Sequence, residues 1–454
     1  MKLICKFSLM LFMAIPLLSH AIPVPITSKI PVIVDTDMGF DDWMALLYIA
    51  KDPSVDIKAV TVDCSGETYC PQGAVNATKL LFLATGNSNI PVYYEQDLSD
   101  AKWDSFPALI RVGATDMKVY NYKDQSKEDF KNIKGYSYKS GAAKAIVRIA
   151  EQAGREDKPI TFISIGSAEN LSKAIQLSEG STYFNDGFKM VYKGGGAFGM
   201  PMINNSDGSD YLSNVGVSGN LNIPNIYASN NRQAEWNIYV GAQSMQNILT
   251  SGLPLTFVPV NLSDQVPITQ NSFDMISKNV DNSHDSAIKF VADAIMTQEV
   301  AQGGFDNSGL DYWDPSVVVA ALHPGFIKKT YKDNYVCIPS EGYSPPVNTG
   351  NAPSSISKSG KIPVWLFEEL DNSKGLYSYG ETIINAPIDV TTNSIYGMKA
   401  CNLLGERSGK ANVYYSIDTR KFYTNFVNIL SNYGVLVKNE YPRQKAASRK
   451  RHFF

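Results

Sequence analysis

The chain has 454 residues, 44% of them apolar, 11% aromatic and only 19% charged, a composition that argues against disorder and allows a large core in one big domain or two. Its formal net charge of −3 offers no basic excess and argues against a nucleic-acid-binding surface.

At the N-terminus, Lys2 and Lys6 precede an apolar run from Phe7 to Leu18, and Ser19-His20-Ala21 forms a small-x-small cleavage site. Residues 1–21 read as a secretory signal peptide, because the run is shorter than the roughly 20 residues of a bilayer span. The mature chain would be exported, periplasmic or secreted, with no membrane span. Losing two lysines would leave 39 basic against 44 acidic residues, a net charge of −5. Cys5 leaves with the signal, and Cys64, Cys70, Cys337 and Cys401 remain. Four cysteines in an exported chain allow up to two disulfides in three pairings, with Cys64 and Cys70 the pair nearest in sequence. Spacing does not choose among them. Zinc is the competing reading, but no CxxC or nearby His supports it.

From Ile30 onward short apolar runs alternate with helical patterns. IPVIV (30–34), IKAVTV (57–62), ITFISI (160–165), FKMVY (188–192) and LTFVPV (255–260) predict buried strands. DDWMALLYIAK, GAVNATKLLFLATG, SGAAKAIVRIAEQAG and ENLSKAIQLS, between them, predict helices. The order predicts an α/β fold, a mainly parallel, Rossmann-like open sheet flanked by helices. It would form one domain over 22–440 with a less regular C-terminal third. The polar stretches 199–233 and 340–360 read as long loops, the first bordering the site and the second a peripheral insertion. Arg443, Lys445, Arg449, Lys450 and Arg451 give 441–454 the character of a solvated basic tail.

The segment VDTDMGFDDWMAL (34–46) crowds Asp35, Asp37, Asp41 and Asp42 where the first strand hands over to a helix. With Val34 ending the strand, Gly39 turning the chain and the helix starting near Asp41, three or four carboxylates converge at one strand end. In an open α/β sheet that is where ligands bind. Buried like charges need a positive partner. Oxygen donors without His or Cys suit Ca²⁺ or Mg²⁺. The plainer reading makes Asp41 and Asp42 helix-start acids and Asp35 an exposed turn residue. Aspartate-nucleophile phosphatases also begin Asp-x-Asp, but they continue with a hydroxyl residue where this chain has Met38 and Gly39.

DTDMGFDDWMAL resembles the N-terminal motif of the inosine-uridine nucleoside hydrolase family. SGETYCPQGAVNA from Ser65, ISIGSAENL from Ile163, GGGAF at 194–198, AEWNIYV from Ala234 and DYWDP at 311–315 follow in the family's order. NVYYSIDTRKFYTNFVNIL is similar to its closing strand and helix. The resemblance implies Ca²⁺-dependent hydrolysis of ribonucleosides. It makes Asp37, Asp42, Asp314 and the main-chain carbonyl of Ile165 the calcium ligands, Asp37 also the general base, and Asp35 a supporting residue. Asp41 and Asn237 would meet the ribose hydroxyls, and Glu235 and Asn220 the 5′-hydroxyl. The chemistry agrees, since an oxocarbenium-like state needs an activated water and negative charge around the sugar. Glu235 and Asn237, two apart on an extended segment, would face one ligand.

Two positions depart from the family. Trp313 stands where many members carry the His that protonates the leaving base, so base protonation by His is in question. Trp313 reads either as a stacking surface that favours purine nucleosides or as packing beneath the site, with Tyr312 and Trp236 as further pocket aromatics. Glu67 stands where many members carry Asn, as another acceptor or a change in what is bound. A non-catalytic nucleoside- or sugar-binding protein on the same fold is the alternative. A small-molecule nucleoside is the expected partner, and a homo-oligomer stays open.

Overall fold

The computed structural model describes residues 29–87, 89–95, 106, 108–117, 138–204, 207–213, 217–220, 234–282, 286–306, 308–338, 382–385 and 408–431. The expected signal segment 1–21, the stretch 340–360 and the expected tail 441–454 lie outside them.

The strands are β1 (Ile30–Thr36), β2 (Val55–Val62), β3 (Val92–Tyr94), β4 (Tyr138–Ser140), β5 (Ile160–Ser164), β6 (Phe188–Gly194), β7 (Pro201–Ile203), β8 (Asp210–Leu212), β9 (Leu255–Val258), β10 (Ile327–Cys337), β11 (Ile383–Asn385) and β12 (Ser408–Ile417). The first helices are α1 (Phe40–Lys51), α2 (Gln72–Thr85), α3 (Ala108–Thr115), α4 (Ala142–Arg155), α5 (Glu169–Leu177) and α6 (Trp236–Val240). After them come α7 (Ala242–Thr250), α8 (Val260–Ser263), α9 (Gln270–Asn282), α10 (Ser286–Gln302), α11 (Trp313–Leu322) and α12 (Thr419–Leu430).

Ten strands form one sheet in the order β11-β10-β12-β9-β6-β5-β1-β2-β3-β4. From β12 across to β4 every pairing is parallel. Strands β1, β5 and β9 are buried on both faces, as parallel strands sandwiched between helices must be. Chain order runs one way from β1 to β4 and the other way from β5 through β6 to β9. The reversal falls between β1 and β5, and Ile165 N–H donates to Asp35 O across it at 2.7 Å. A crevice opens at such a switch point, beyond the carboxyl ends of the strands.

Several boundaries differ from those expected. Strand β1 continues through Asp35 and Thr36, because their backbones stay paired with Thr61 and Val62 of β2. The run LTFVPV breaks at Pro259, which caps α8 instead of extending β9. Part of 199–233 is the β7–β8 hairpin, not loop. Among the described residues of the C-terminal third, β10 runs antiparallel to both β11 and β12 and extends the sheet.

Candidate active site

The turn after β1 is built differently from the sequence reading. Its left-handed residue is Met38, at φ 65°, a conformation costing a non-glycine residue about 1–2 kcal/mol. The Met38 N–H donates to Thr36 Oγ1 at 3.0 Å and steadies it. Gly39 is extended, at φ −65° and ψ 178°. A Cβ there would lie 2.6 Å from Glu67 Oε2, so close approach rather than turning explains the glycine.

Asp41 and Asp42 fall in the first turn of α1, where the helix dipole favours acids. Asp42 Oδ2 accepts the Gly39 N–H at 2.8 Å, and Asp42 Oδ1 accepts the Thr36 hydroxyl. Asp314 holds the matching place on α11, and its N–H donates to Asp41 Oδ2 at 3.3 Å. Carboxylate oxygens of Asp41, Asp42 and Asp314 lie within 4.8 Å of one another. Asp37 joins this group, its carboxylate interacting with that of Asp42. Asp35 lies within the sheet rather than in an exposed turn, accepting from Thr61 Oγ1 at 2.6 Å and Asn170 Nδ2 at 2.8 Å.

Desolvation dominates the electrostatics. Burial, with Asp42 beside it, holds the Asp37 carboxyl well above the usual range, and burial with Asp41 does the same for Asp314. Burial raises Asp42 to about 7, with Asp41 adding to it, and raises Asp35 to about 7, with Asp63 adding. Burial takes Asp41 to about 6 against the hydrogen bonds it accepts. Ionising such a set together is costly unless positive charge sits among them. The Ile165 carbonyl accepts from Asn237 Nδ2 at 3.0 Å, and Asn237 Oδ1 is buried without a partner. Oxygen donors alone, with one orphaned amide oxygen beside them, fit a hard cation.

A loop closed by the Cys64–Cys70 disulfide braces Asp37. Glu67 N–H donates to Asp37 Oδ2 at 3.1 Å, and Thr68 Oγ1 donates to Asp37 O at 2.9 Å. A Cβ on Gly66 would lie 2.2 Å from Asp37 Oδ2, so only glycine lets the loop come this near. Arg111 Nη2 donates to Cys64 O and Thr68 O at 2.6 and 3.0 Å, and its guanidinium lies 4.0 Å over the Tyr69 ring. Burial, then Asp37 and Asp41, hold the Glu67 carboxyl well above its usual range. Cys337 is disulfide-bonded as well, and bonded cysteines offer no thiolate to zinc.

Glu235 and Asn237 are not on an extended segment. Glu235 caps α6, its carboxylate accepting from Asn237 N–H at 2.9 Å, Ile238 N–H at 3.1 Å and Gly196 N–H at 3.1 Å, while Asn237 is already helical. Asn220 Oδ1 accepts the Trp236 N–H at 2.9 Å. Capping explains the pairing that alternation seemed to explain. A cavity of about 490 Å³ brings together Asp37, Asp41, Asp42, Glu67, Asn220, Glu235, Asn237 and Asp314. Phe40, Phe106, Trp236 and Trp313 line its apolar part. Tyr312 does not line it: the ring is fully buried against Phe422 and Phe426. Lys193 and Arg111 were missed from sequence. A lysine inside the apolar run before GGG was the available signal for the first, and Arg111 had none.

The sheet, its switch point and the acid-rich crevice define an α/β protein with a carboxylate-rich ligand site at the carboxyl ends of its strands. Residues 32–424 match the inosine-uridine preferring nucleoside hydrolase family, and the chain belongs to it. It is 24% identical over 311 residues to the probable uridine nucleosidase 2 of Arabidopsis thaliana, covering 68% of this chain and 82% of that protein. It is 22% identical over 295 residues to the pyrimidine-specific ribonucleoside hydrolase RihA of Shewanella sp. (strain MR-4), covering 65% and 78%. The fold is shared with the purine-preferring ribonucleoside hydrolase from Gardnerella vaginalis, at TM-score 0.54 and 17% identity over 88% of this chain and 98% of that one. Membership sets the phosphotransfer reading aside.

Proposed function

We propose that the chain hydrolyses ribonucleosides to free base and ribose with Ca²⁺ as its resident cofactor, favouring purine nucleosides. The observation that carries this reading is the convergence of Asp41, Asp42 and Asp314 within 4.8 Å beside Asp37. Asp37, Asp42, Asp314 and the Ile165 carbonyl would hold the ion, an all-oxygen set of the kind calcium takes. When bound, the ion supplies charge that acidifies a water and orients the ribose hydroxyls.

The remaining work falls to the chain's own side chains. Asp37, its Oδ2 held by the Glu67 N–H, takes the proton of the attacking water as the oxygen bonds to C1′ and the C1′–N bond breaks, its electron pair leaving on the base nitrogen, which takes a proton from solvent. Asp41 accepts from a ribose hydroxyl, and the surrounding carboxylates stabilise the cationic sugar. Glu235, oriented by three backbone N–H groups, accepts from the 5′-hydroxyl, with Asn220 fixing the start of α6 beside it. Asn237 bridges the Ile165 carbonyl to the sugar, and Glu67 offers a further acceptor. Asp35 supports β1 from within the sheet. No histidine lines the cavity among the described residues, and Trp313 supplies a ring face for the base instead. Relatives bear both pyrimidine-specific and purine-preferring names, so the purine preference rests on this aromatic wall. Export through residues 1–21 is part of the same reading, and the disulfides of Cys64–Cys70 and Cys337 support an oxidising compartment.

The test is chromatography of free base after incubating the purified protein with inosine, adenosine and uridine. The expected result is base and ribose from all three, fastest from the purines. A melting temperature raised by nucleoside with no base released would establish a binding protein instead.

A further inference from the structure

Lys193, at the end of β6, is 1% exposed, among the most deeply buried cations of the described residues. Its Nζ donates to Gly166 O at 2.7 Å and to Gly194 O. Gly166 follows Ile165, whose carbonyl Asn237 engages, and Gly194 lines the cavity. The ammonium therefore ties the ends of β5 and β6 together directly beneath the site. Two carbonyls would be served equally well by a neutral donor, so hydrogen bonding does not explain a charge here. Burial disfavours the ammonium, while Glu235, Asp314, Asp35 and Asp37 all favour it. These four acids come from β1 and the turn after it, the α6 cap and α11, and the backbone that Lys193 holds lies against two of them: a Cβ on Gly166 would lie 3.2 Å from Asp37 Cβ, and one on Gly195, next to Gly194, 2.4 Å from Glu235 Oε2.

We infer that Lys193 is a resident counter-cation of the carboxylate cluster, a positioning residue that keeps the ion-free site folded and restrains its affinity for Ca²⁺. The inference rests on the calcium reading of the cluster. Without the lysine, the acids carry one more unit of uncompensated negative charge. The ion-free fold then weakens and the empty cluster draws a cation more strongly, because interactions inside a buried site are poorly screened. Ligand binding to the folded state alone amplifies the difference between loaded and ion-free stability.

The experiment is calorimetric titration of Ca²⁺ into chelator-stripped protein at fixed ionic strength, with melting temperatures measured in EGTA and in Ca²⁺. Lys193→Met removes both charge and donor; Lys193→Gln keeps a donor for Gly166 and Gly194. Both variants should bind Ca²⁺ about tenfold tighter or more, and both should show a wider gap between loaded and ion-free melting temperatures. Lys193→Gln decides alone if the methionine variant does not fold. A glutamine variant whose affinity stays within twofold of the unaltered protein, or weakens, overturns the inference and leaves Lys193 a hydrogen-bonding tie. A flat titration of the unaltered protein would overturn the calcium reading itself, and the inference with it.

Discussion

The Tyr48 hydroxyl lies 3.0 Å from His323 Nε2, across 275 residues of chain, and joins the far ends of two helices. Tyr48 belongs to α1 and His323 caps α11, the helices whose first turns carry Asp41, Asp42 and Asp314. Tyr48 also donates to Asn425 Oδ1 on α12, and His323 stands 3.6 Å from Asp52 Oδ2. The helices that bring acids together at one end are thus clasped at the other. Tyr48→Phe should destabilise the fold by about 1 kcal/mol, the net worth of a buried hydrogen bond, as read by urea denaturation. An unchanged midpoint would show that the clasp contributes nothing.

Asp52 gives that clasp a pH dependence. Burial alone would raise its carboxyl, but the nearby His323 and the two Ser54 donors outweigh burial and hold it below its ordinary value of 3.8. A depressed carboxyl stabilises the fold above the unfolded value and loses that contribution as pH falls through the folded one. Asp52→Asn should therefore cost stability at pH 6, and the difference from the unaltered protein should shrink below about pH 4. Parallel denaturation curves at pH 6 and pH 3 measure this, and a constant difference would contradict it.

The acid cluster has the opposite slope. Without an ion, Asp35 and Asp42 are raised to about 7 and Asp41 to about 6, so the folded state binds more protons than the unfolded state between roughly pH 4 and 7. Ion-free stability should fall as pH rises through that window, and the rise in melting temperature produced by Ca²⁺ should be larger at pH 8 than at pH 5. Equal shifts at both values would argue against an ion bound among these acids.

Much of this site was legible because its chemistry is local. Four aspartates within eight positions declare themselves in any reading, and alternating apolar runs announce a parallel sheet. What stayed hidden depends on contacts between distant segments. Glu235 and Asn237 share a spacing that suits a strand or a helix cap, and only Asn220 and Gly196, folded onto them, decide for the cap. Strand β10 is mostly half-buried or exposed, with Tyr331, Val336 and Cys337 its buried residues, so it lacks the continuous apolar run that marked the central strands. Gly39 looks like a turn residue until Glu67 is placed against it.

The Cys64–Cys70 disulfide closes a loop that presents three residues to Asp37. Replacing both cysteines by alanine should lower stability by about 2 kcal/mol on the chain-entropy account of so short a loop. It should also reduce kcat more than it raises KM, since Asp37 loses its orientation. A fall in stability with kcat intact would mean that the loop braces the fold and not the base.

Trp313 is the position where base preference is tested. Trp313→Ala should raise KM for inosine and adenosine about tenfold while changing uridine less, in keeping with ring stacking worth ~1–1.5 kcal/mol. Equal losses for purine and pyrimidine nucleosides would assign the indole to packing.

Ribose release from inosine, followed before chelation, after EGTA treatment and after Ca²⁺ is restored, tests the central claim most directly. The acids around Asp37 should make release stop in EGTA and recover with Ca²⁺, and Asp37→Ala should abolish it, by about 1,000-fold or more, with Ca²⁺ present. Release that continues undiminished in EGTA, or survives in Asp37→Ala near its original rate, would contradict the account.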